Sequence, residues 1–246
     1  MEKVLEVKGL TKQYTKVLAA DNVSFDIGEG EIFALIGPNG AGKTTTIRMI
    51  STLLKATSGD AVIAGHSINK EPEKVRECIT YLPDEAGAYK NMTGANYLKF
   101  MAGLFYTDPN KIIECVNRAK EICGLGDRLN DKIGSYSRGM IRKLLLSRAV
   151  MTKPKLAILD EPTSGLDVIN AIEIRKMIKK LASEEGMSFL LSSHNMLEIE
   201  FVSDRVGIIA KGHLMVTGTG EELKKRYNAP NLEEVFERVV IENEIH

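Results

Sequence analysis

Residues Gly37-Pro38-Asn39-Gly40-Ala41-Gly42-Lys43-Thr44-Thr45 fit the pattern G-x-x-x-x-G-K-[ST], and their neighbours restrict this part of the chain to strand, loop and helix. Before the loop, Glu31-Ile32-Phe33-Ala34-Leu35-Ile36 reads as a buried strand. After it, residues 44–54 carry Ile47, Ile50, Leu53 and Leu54 at helical spacing. Glycines at 37, 40 and 42 let the main chain curl with its N–H groups inward, where a side chain would obstruct a phosphate. The helix that follows adds the partial positive charge of its N-terminus. Lys43 can reach β- and γ-phosphates, and the Thr44 hydroxyl can ligate Mg²⁺. The stretch implies a bound nucleoside triphosphate.

The 246 residues allow one large α/β domain or two small ones. The first thirty look like an antiparallel β arm: Val4-Leu5-Glu6-Val7 alternates, as do Val23, Phe25 and Ile27. Tyr14 lies in the connection, where a tyrosine taken alone reads as surface packing or a turn residue. Residues 59–66 read as a short strand closed by glycine, 73–77 as a helix, and 79–82 as a strand that Pro83 ends. From 84 to about 150 the pattern is nearly all helix. Thr93 can cap a run with Tyr97, Leu98, Met101, Ala102 and Phe105 on one face. A second run carries Ile112, Ile113, Val116, Ala119 and Ile122, and a third starts at Ser137. Three helices with no strand between them predict a helical subdomain inserted into an α/β core. Strand signals return at 156–159 and 188–191, with a helix at 168–185 between them. A short helix at 196–201 and a hairpin turning at Lys211-Gly212 follow. The tail sets Leu232, Val235, Phe236, Val239 and Val240 on one helix face, to pack on the core or on a partner.

Leu159-Asp160-Glu161-Pro162 places two carboxylates at the C-terminal end of a buried strand, where open α/β sheets bind ligands. Asp160 there would hold the Mg²⁺ that bridges the phosphates, directly or through water. Glu161 would orient and deprotonate the water attacking the γ-phosphate. His194, just past the strand at 188–191, falls at the same sheet edge and reads as a contact to the γ-phosphate and the attacking water. His66, His213 and His246 carry no comparable context and read as surface residues.

Lysine plus arginine equals aspartate plus glutamate at 33 each, so no overall field attracts nucleic acid. Cys78, Cys115 and Cys123 lack the close spacing of a metal site. With no N-terminal signal pattern, they read as reduced thiols of a cytosolic protein. No run approaches the roughly eighteen apolar residues of a membrane helix.

The order phosphate loop, helical insertion, Ser137-Arg138-Gly139, Asp160-Glu161, Ser164-Gly165-Leu166-Asp167, His194 resembles the ATP-binding subunit of an ABC transporter, over residues 4–216. The resemblance implies a P-loop NTPase core, a mixed sheet flanked by helices, with the antiparallel β arm. Residues 1–83 and 151–246 would form that ATP-binding core and 84–150 the inserted helical subdomain. It implies ATP hydrolysis on the cytoplasmic face of a membrane, in a homodimer or heterodimer sandwiching two Mg·ATP and driving permease subunits on separate chains. Each site would join one chain's phosphate loop to the other chain's signature segment, here Tyr136-Ser137-Arg138-Gly139-Met140 in place of Leu-Ser-Gly-Gly-Gln. Ser137 and Gly139 suit a γ-phosphate through a hydroxyl and a helix-terminal N–H. Tyr14 matches the aromatic that stacks on adenine, and residues 164–167 match the D-loop, which crosses the dimer. Asp84 stands where the family has a metal-contacting glutamine, and still offers oxygen. Asp84, Met140 and the short tail look like the branch serving ABC-2 type exporters. ABC-type ATPases acting on ribosomes or DNA carry two nucleotide domains or long coiled coils. This chain has one phosphate loop and no heptad run.

Overall fold

The computed structural model describes residues 2–244. Alternation of apolar side chains makes β1 (Lys3–Gln13) and β2 (Leu18–Gly28) a long antiparallel ribbon, with Leu5 opposite Ile27 and Val7 opposite Phe25. β3 (Ile32–Ile36) is buried at every residue and runs into the phosphate loop and α1 (Lys43–Ile50). β4 (Ser58–Ile63) and the two-residue β5 (His66–Ser67) join the ribbon, giving an antiparallel sheet ordered β2-β1-β4-β5. The strand expected over 59–66 therefore stops at Ile63, where Ala64 and Gly65 turn at positive φ. α1 is likewise shorter than its spacing predicted. After Ile50 the N–H groups of Leu53 and Leu54 fold back onto the Arg48 carbonyl, and Leu53 is left 62% exposed.

α2 (Pro72–Cys78) leads to β6 (Ile79–Leu82), then α3 (Gly94–Gly103), α4 (Pro109–Cys123) and α5 (Arg138–Val150) follow in a row. Thr93, Asp108 and Ser137 cap these helices, each side chain accepting a first-turn N–H. β7 (Leu156–Asp160) then pairs parallel with β6, so the whole helical segment is the crossover between two neighbouring strands. α6 (Val168–Glu185), β8 (Ser188–Ser193), α7 (Met196–Val202), β9 (Arg205–Ala210) and β10 (His213–Gly218) complete a second sheet, ordered β10-β9-β3-β8-β7-β6 and parallel except for β10.

The pleat of that sheet divides the core. Ile32, Ala34 and Ile36 join Leu159, Leu191, Leu98, Val116 and Leu144 on one side. Phe33 and Leu35 join Ile158, Leu190, Ile47 and the antiparallel sheet on the other. The helical segment thus shares one apolar cluster with the central sheet. α8 (Gly220–Arg226), capped by a reciprocal Thr219/Glu222 pair, is a helix that the apolar spacing did not reveal. α9 (Leu232–Glu244) buries Leu232, Val235 and Val239 in the cluster that also holds Leu98 and Leu144, so the tail packs on the core. All three cysteines are free, and burial pushes each thiol above its ordinary range.

Candidate active site

The phosphate loop is wedged between the two sheets. A Cβ at Gly37 would lie 2.2 Å from the Ile209 carbonyl oxygen on β9, and one at Gly42 2.4 Å from that of Ala19 on β2. The Gly212 N–H, in the β9–β10 turn, donates to the Ala41 carbonyl at 2.9 Å. The loop shape is therefore imposed by main chain on both sides.

Lys43 is 6% exposed, and its Nζ donates to the carbonyls of Gly37 (2.7 Å) and Pro38 (3.1 Å). Burial lowers its affinity for the proton, and the charges of Glu161 and Asp160 partly restore it. A cavity of about 450 Å³ opens over the loop, lined by Asn39 to Thr45, by Asp84, Asp160 and Glu161, and by Val17, Leu18, Ala19, Lys211 and Gly212.

Asp160 ends β7 and is 5% exposed. Its Oδ1 accepts the Ser192 hydroxyl and its Oδ2 the Tyr81 hydroxyl at 3.3 Å. Burial, reinforced by the Asp160 charge, raises the Tyr81 pKa and keeps its hydroxyl a donor. Asp160, Asp84 and Thr44 are oxygen donors that suit Mg²⁺. Among the described residues no three His, Cys, Asp or Glu side chains converge as a metal site. The donor set fits a divalent ion that takes its remaining ligands from phosphate and water.

Glu161 adopts φ 49°, a left-handed conformation that costs a side-chain-bearing residue about 1–2 kcal/mol. Its N–H donates to the Ser192 carbonyl (3.1 Å) and hydroxyl (3.2 Å), and its carboxylate Oε1 lies 2.9 Å from His194 Nδ1. The turn thus aims the Glu161 side chain toward the cavity and pairs it with His194, which does not itself line the cavity.

Tyr14 is 44% exposed in the β1–β2 turn, its ring 5.3 Å from Lys12 Nζ, and the adjacent cavity wall is made by Val17 and Leu18. Ser137 and Gly139 do not line this cavity. They open α5 against the start of α6, and a Cβ at Gly139 would lie 2.1 Å from Asn170 Oδ1. Of the remaining histidines, His213 is exposed and His66 is half-buried, its Nδ1 3.4 Å from Glu71 Oε2. His246 lies outside the described residues.

Sequence reasoning missed Tyr81, Ser192, Lys211 and above all Arg142. Arg142 is 6% exposed, and its Nη2 donates to the carbonyls of Glu161 (3.0 Å) and Asp84 (3.3 Å) and to Asp84 Oδ1 (3.3 Å). Burial lowers its pKa, opposed chiefly by Asp84 and then by Asp160 and Glu161. Only an arginine on the buried face of the third helical run could have signalled it.

A family model described as ABC transporter matches residues 20–164. The ABC transporter ATP-binding protein YhcH of Bacillus subtilis is 43% identical over 87% of this chain and 70% of its own length. The linearmycin resistance ATP-binding protein LnrL of Bacillus subtilis is 37% identical over 91% of this chain and 71% of its own. The bacitracin transport ATP-binding protein BcrA of Bacillus licheniformis is 37% identical over 92% and 73%. A solved ATP-binding subunit of an ABC transporter superposes with a TM-score of 0.84 at 28% identity, covering 96% of this chain and 99% of that one.

Proposed function

The chain belongs to the ABC transporter family, as an ATP-binding subunit that hydrolyses ATP, and we propose that two copies close over two Mg·ATP to drive export through separate membrane subunits. The observation that carries the reading is the split of the site. The phosphate loop, Asp160 and Glu161 share one cavity, while Ser137 and Gly139 of the same chain stand apart from it. In this reading Gly37 to Thr45 cradle the phosphates and Lys43 neutralises the β- and γ-oxygens. Thr44 and Asp160, with Asp84 directly or through water, would hold Mg²⁺, which when bound offsets the phosphate charge. Glu161 takes a proton from the attacking water, and His194 orients the Glu161 carboxylate and the γ-phosphate. A second copy supplies Ser137 and Gly139 to the γ-phosphate. Val17 and Leu18, with Tyr14 stacking, receive the adenine.

Export is supported by the resistance and transport roles in the names of LnrL and BcrA. In this reading membrane passage falls to other chains, on whose cytoplasmic side this one sits; no helix among the described residues is long and apolar enough to cross a membrane. The helical segment offers them an apolar surface: Tyr89, Phe100, Leu104 and Phe105 are each at least 45% exposed, and the Tyr89 and Phe100 rings meet edge to face at 5.8 Å. In this respect residues 84–150 act as a subdomain.

The decisive experiment is Glu161→Gln, expected to lower kcat by roughly 10²- to 10⁴-fold while ATP binding persists and dimers accumulate on sizing with ATP. Wild-type turnover in that variant would remove Glu161 as the base. Specific activity of the wild type is expected to rise with subunit concentration, and a concentration-independent rate would rule out the shared site.

A further inference from the structure

We propose that Arg142 is a positioning residue that ties the signature helix to the hydrolytic centre, an inference that rests on the reading of Glu161 as the base. Arg142 lies one turn beyond Gly139 on α5, so it moves with the segment assigned to the neighbouring copy's nucleotide. Its side chain is buried, at 8% exposure. One nitrogen, Nη2, holds three oxygens: the Glu161 carbonyl and the carbonyl and Oδ1 of Asp84. The other, Nη1, is buried and has no hydrogen-bond partner among the described residues.

Three features give this arrangement a purpose beyond packing. Glu161 stands in a left-handed conformation, and such a residue persists only where its surroundings over-determine it. Ser192 fixes its N–H end, and Arg142 fixes its carbonyl end. The carbonyl also accepts the Ser164 N–H at 3.1 Å from within the same turn, so Arg142 is the group that ties that end to another element, α5. Second, Arg142 holds the Asp84 carboxylate at one oxygen, Oδ1, at 3.3 Å, although its planar fork is built to hold a carboxylate at two. The Asp84 side chain is 44% exposed and lines the nucleotide cavity, so it is held loosely enough to be drawn either way. Third, a buried donor without a partner is rare and calls for an explanation. A shift of α5 that brings Nη1 onto the Asp84 carboxylate would satisfy it, convert the single contact to a fork, and move the Glu161 carbonyl in the same step. Arg142 thereby places the base of one site under the control of the signature segment that serves the other.

The test is steady-state ATPase kinetics on Arg142→Gln, Asp84→Asn and the double variant, with Glu161→Gln in parallel. Arg142→Gln is expected to lower kcat roughly 10- to 100-fold, as misplaced catalytic groups do, while KM for ATP moves less than about threefold. Loss of packing alone does not produce that split. The losses from Arg142→Gln and Asp84→Asn are expected to combine to less than their product, because the two side chains act through one contact. Unchanged kcat in Arg142→Gln, a loss carried by KM, or losses that multiply would overturn the inference. Should the buried amide not fold, Arg142→Lys keeps the charge and one donor without the fork, and is read by the same criteria. Wild-type turnover in Glu161→Gln overturns the underlying reading. Inactive Glu161→Gln beside fully active Arg142→Gln overturns this inference alone.

Discussion

In the phosphate loop a Cβ at Gly42 would lie 2.4 Å from a main-chain oxygen, that of Ala19, whereas in the signature segment a Cβ at Gly139 would lie 2.1 Å from a side-chain oxygen, that of Asn170. The two distances are alike, but what stands at the far end differs. Ala19 belongs to a strand of the antiparallel sheet and cannot retreat without disturbing its ladder. Asn170 sits in the first turn of α6, and its side-chain amide donates to Asp167 Oδ2 at 2.6 Å, three residues back in the same chain segment. Gly42 also adopts φ 106°, which a side chain disfavours whatever the space, and Gly139 lies in regular helix. One half of the proposed site is therefore locked by backbone, and the other rests on a replaceable contact.

Gly42→Ala should break the first half outright. With the loop N–H groups displaced, at least two charge-assisted hydrogen bonds worth about 1.5–3 kcal/mol each are lost, so ATP affinity should fall by roughly 10²-fold or more. Calorimetric titration with ATP checks this, and no substitution of a neighbouring side chain should restore it. Near-normal binding would show that the loop can shift away from Ala19.

Gly139→Ala is expected to be milder and reparable. Overpacking against Asn170 should destabilise the fold by about 1–3 kcal/mol. Asn170→Ala in the same chain should recover most of that loss in urea unfolding. Failure of the rescue would mean that Gly139, like Gly42, is held by main chain.

The same contrast explains what the sequence made legible. The phosphate loop, Asp160 and Glu161 follow strands buried on both faces, whose unbroken apolar runs have few alternative readings, so their place at the sheet edge is local information. His194 is legible for the same reason, at the end of β8. Its pairing with Glu161 is not, since the two belong to different strands. Arg142 and its acceptors at Asp84 and Glu161 are 58 and 19 residues apart in the chain, and only the packing of α5 on the β6–β7 edge joins them. Local punctuation was missed for a different reason: in α1 helical spacing continues into Leu53 and Leu54 although the main chain has already folded back on Arg48. At α8 the opposite holds, a capping box marking a helix too short to show a periodic face.

The smallest expected effect separates the structural from the functional share of the signature segment. Ser137 caps α5, its Oγ accepting the Met140 N–H at 3.2 Å, as Thr219 caps α8 by accepting the Glu222 N–H at 3.2 Å. Accepting a hydrogen bond leaves the Ser137 hydroxyl proton free to donate, so the cap and a contact to a γ-phosphate are compatible. Ser137→Ala and Thr219→Ala should each lower stability by about 1 kcal/mol, the ordinary worth of such a cap. Only Ser137→Ala should also reduce turnover, by about tenfold or more, because it removes a donor to a charged oxygen in the neighbouring site. Equal ATPase rates for the two variants would reduce Ser137 to a helix cap and leave the second half of the site to main-chain groups alone.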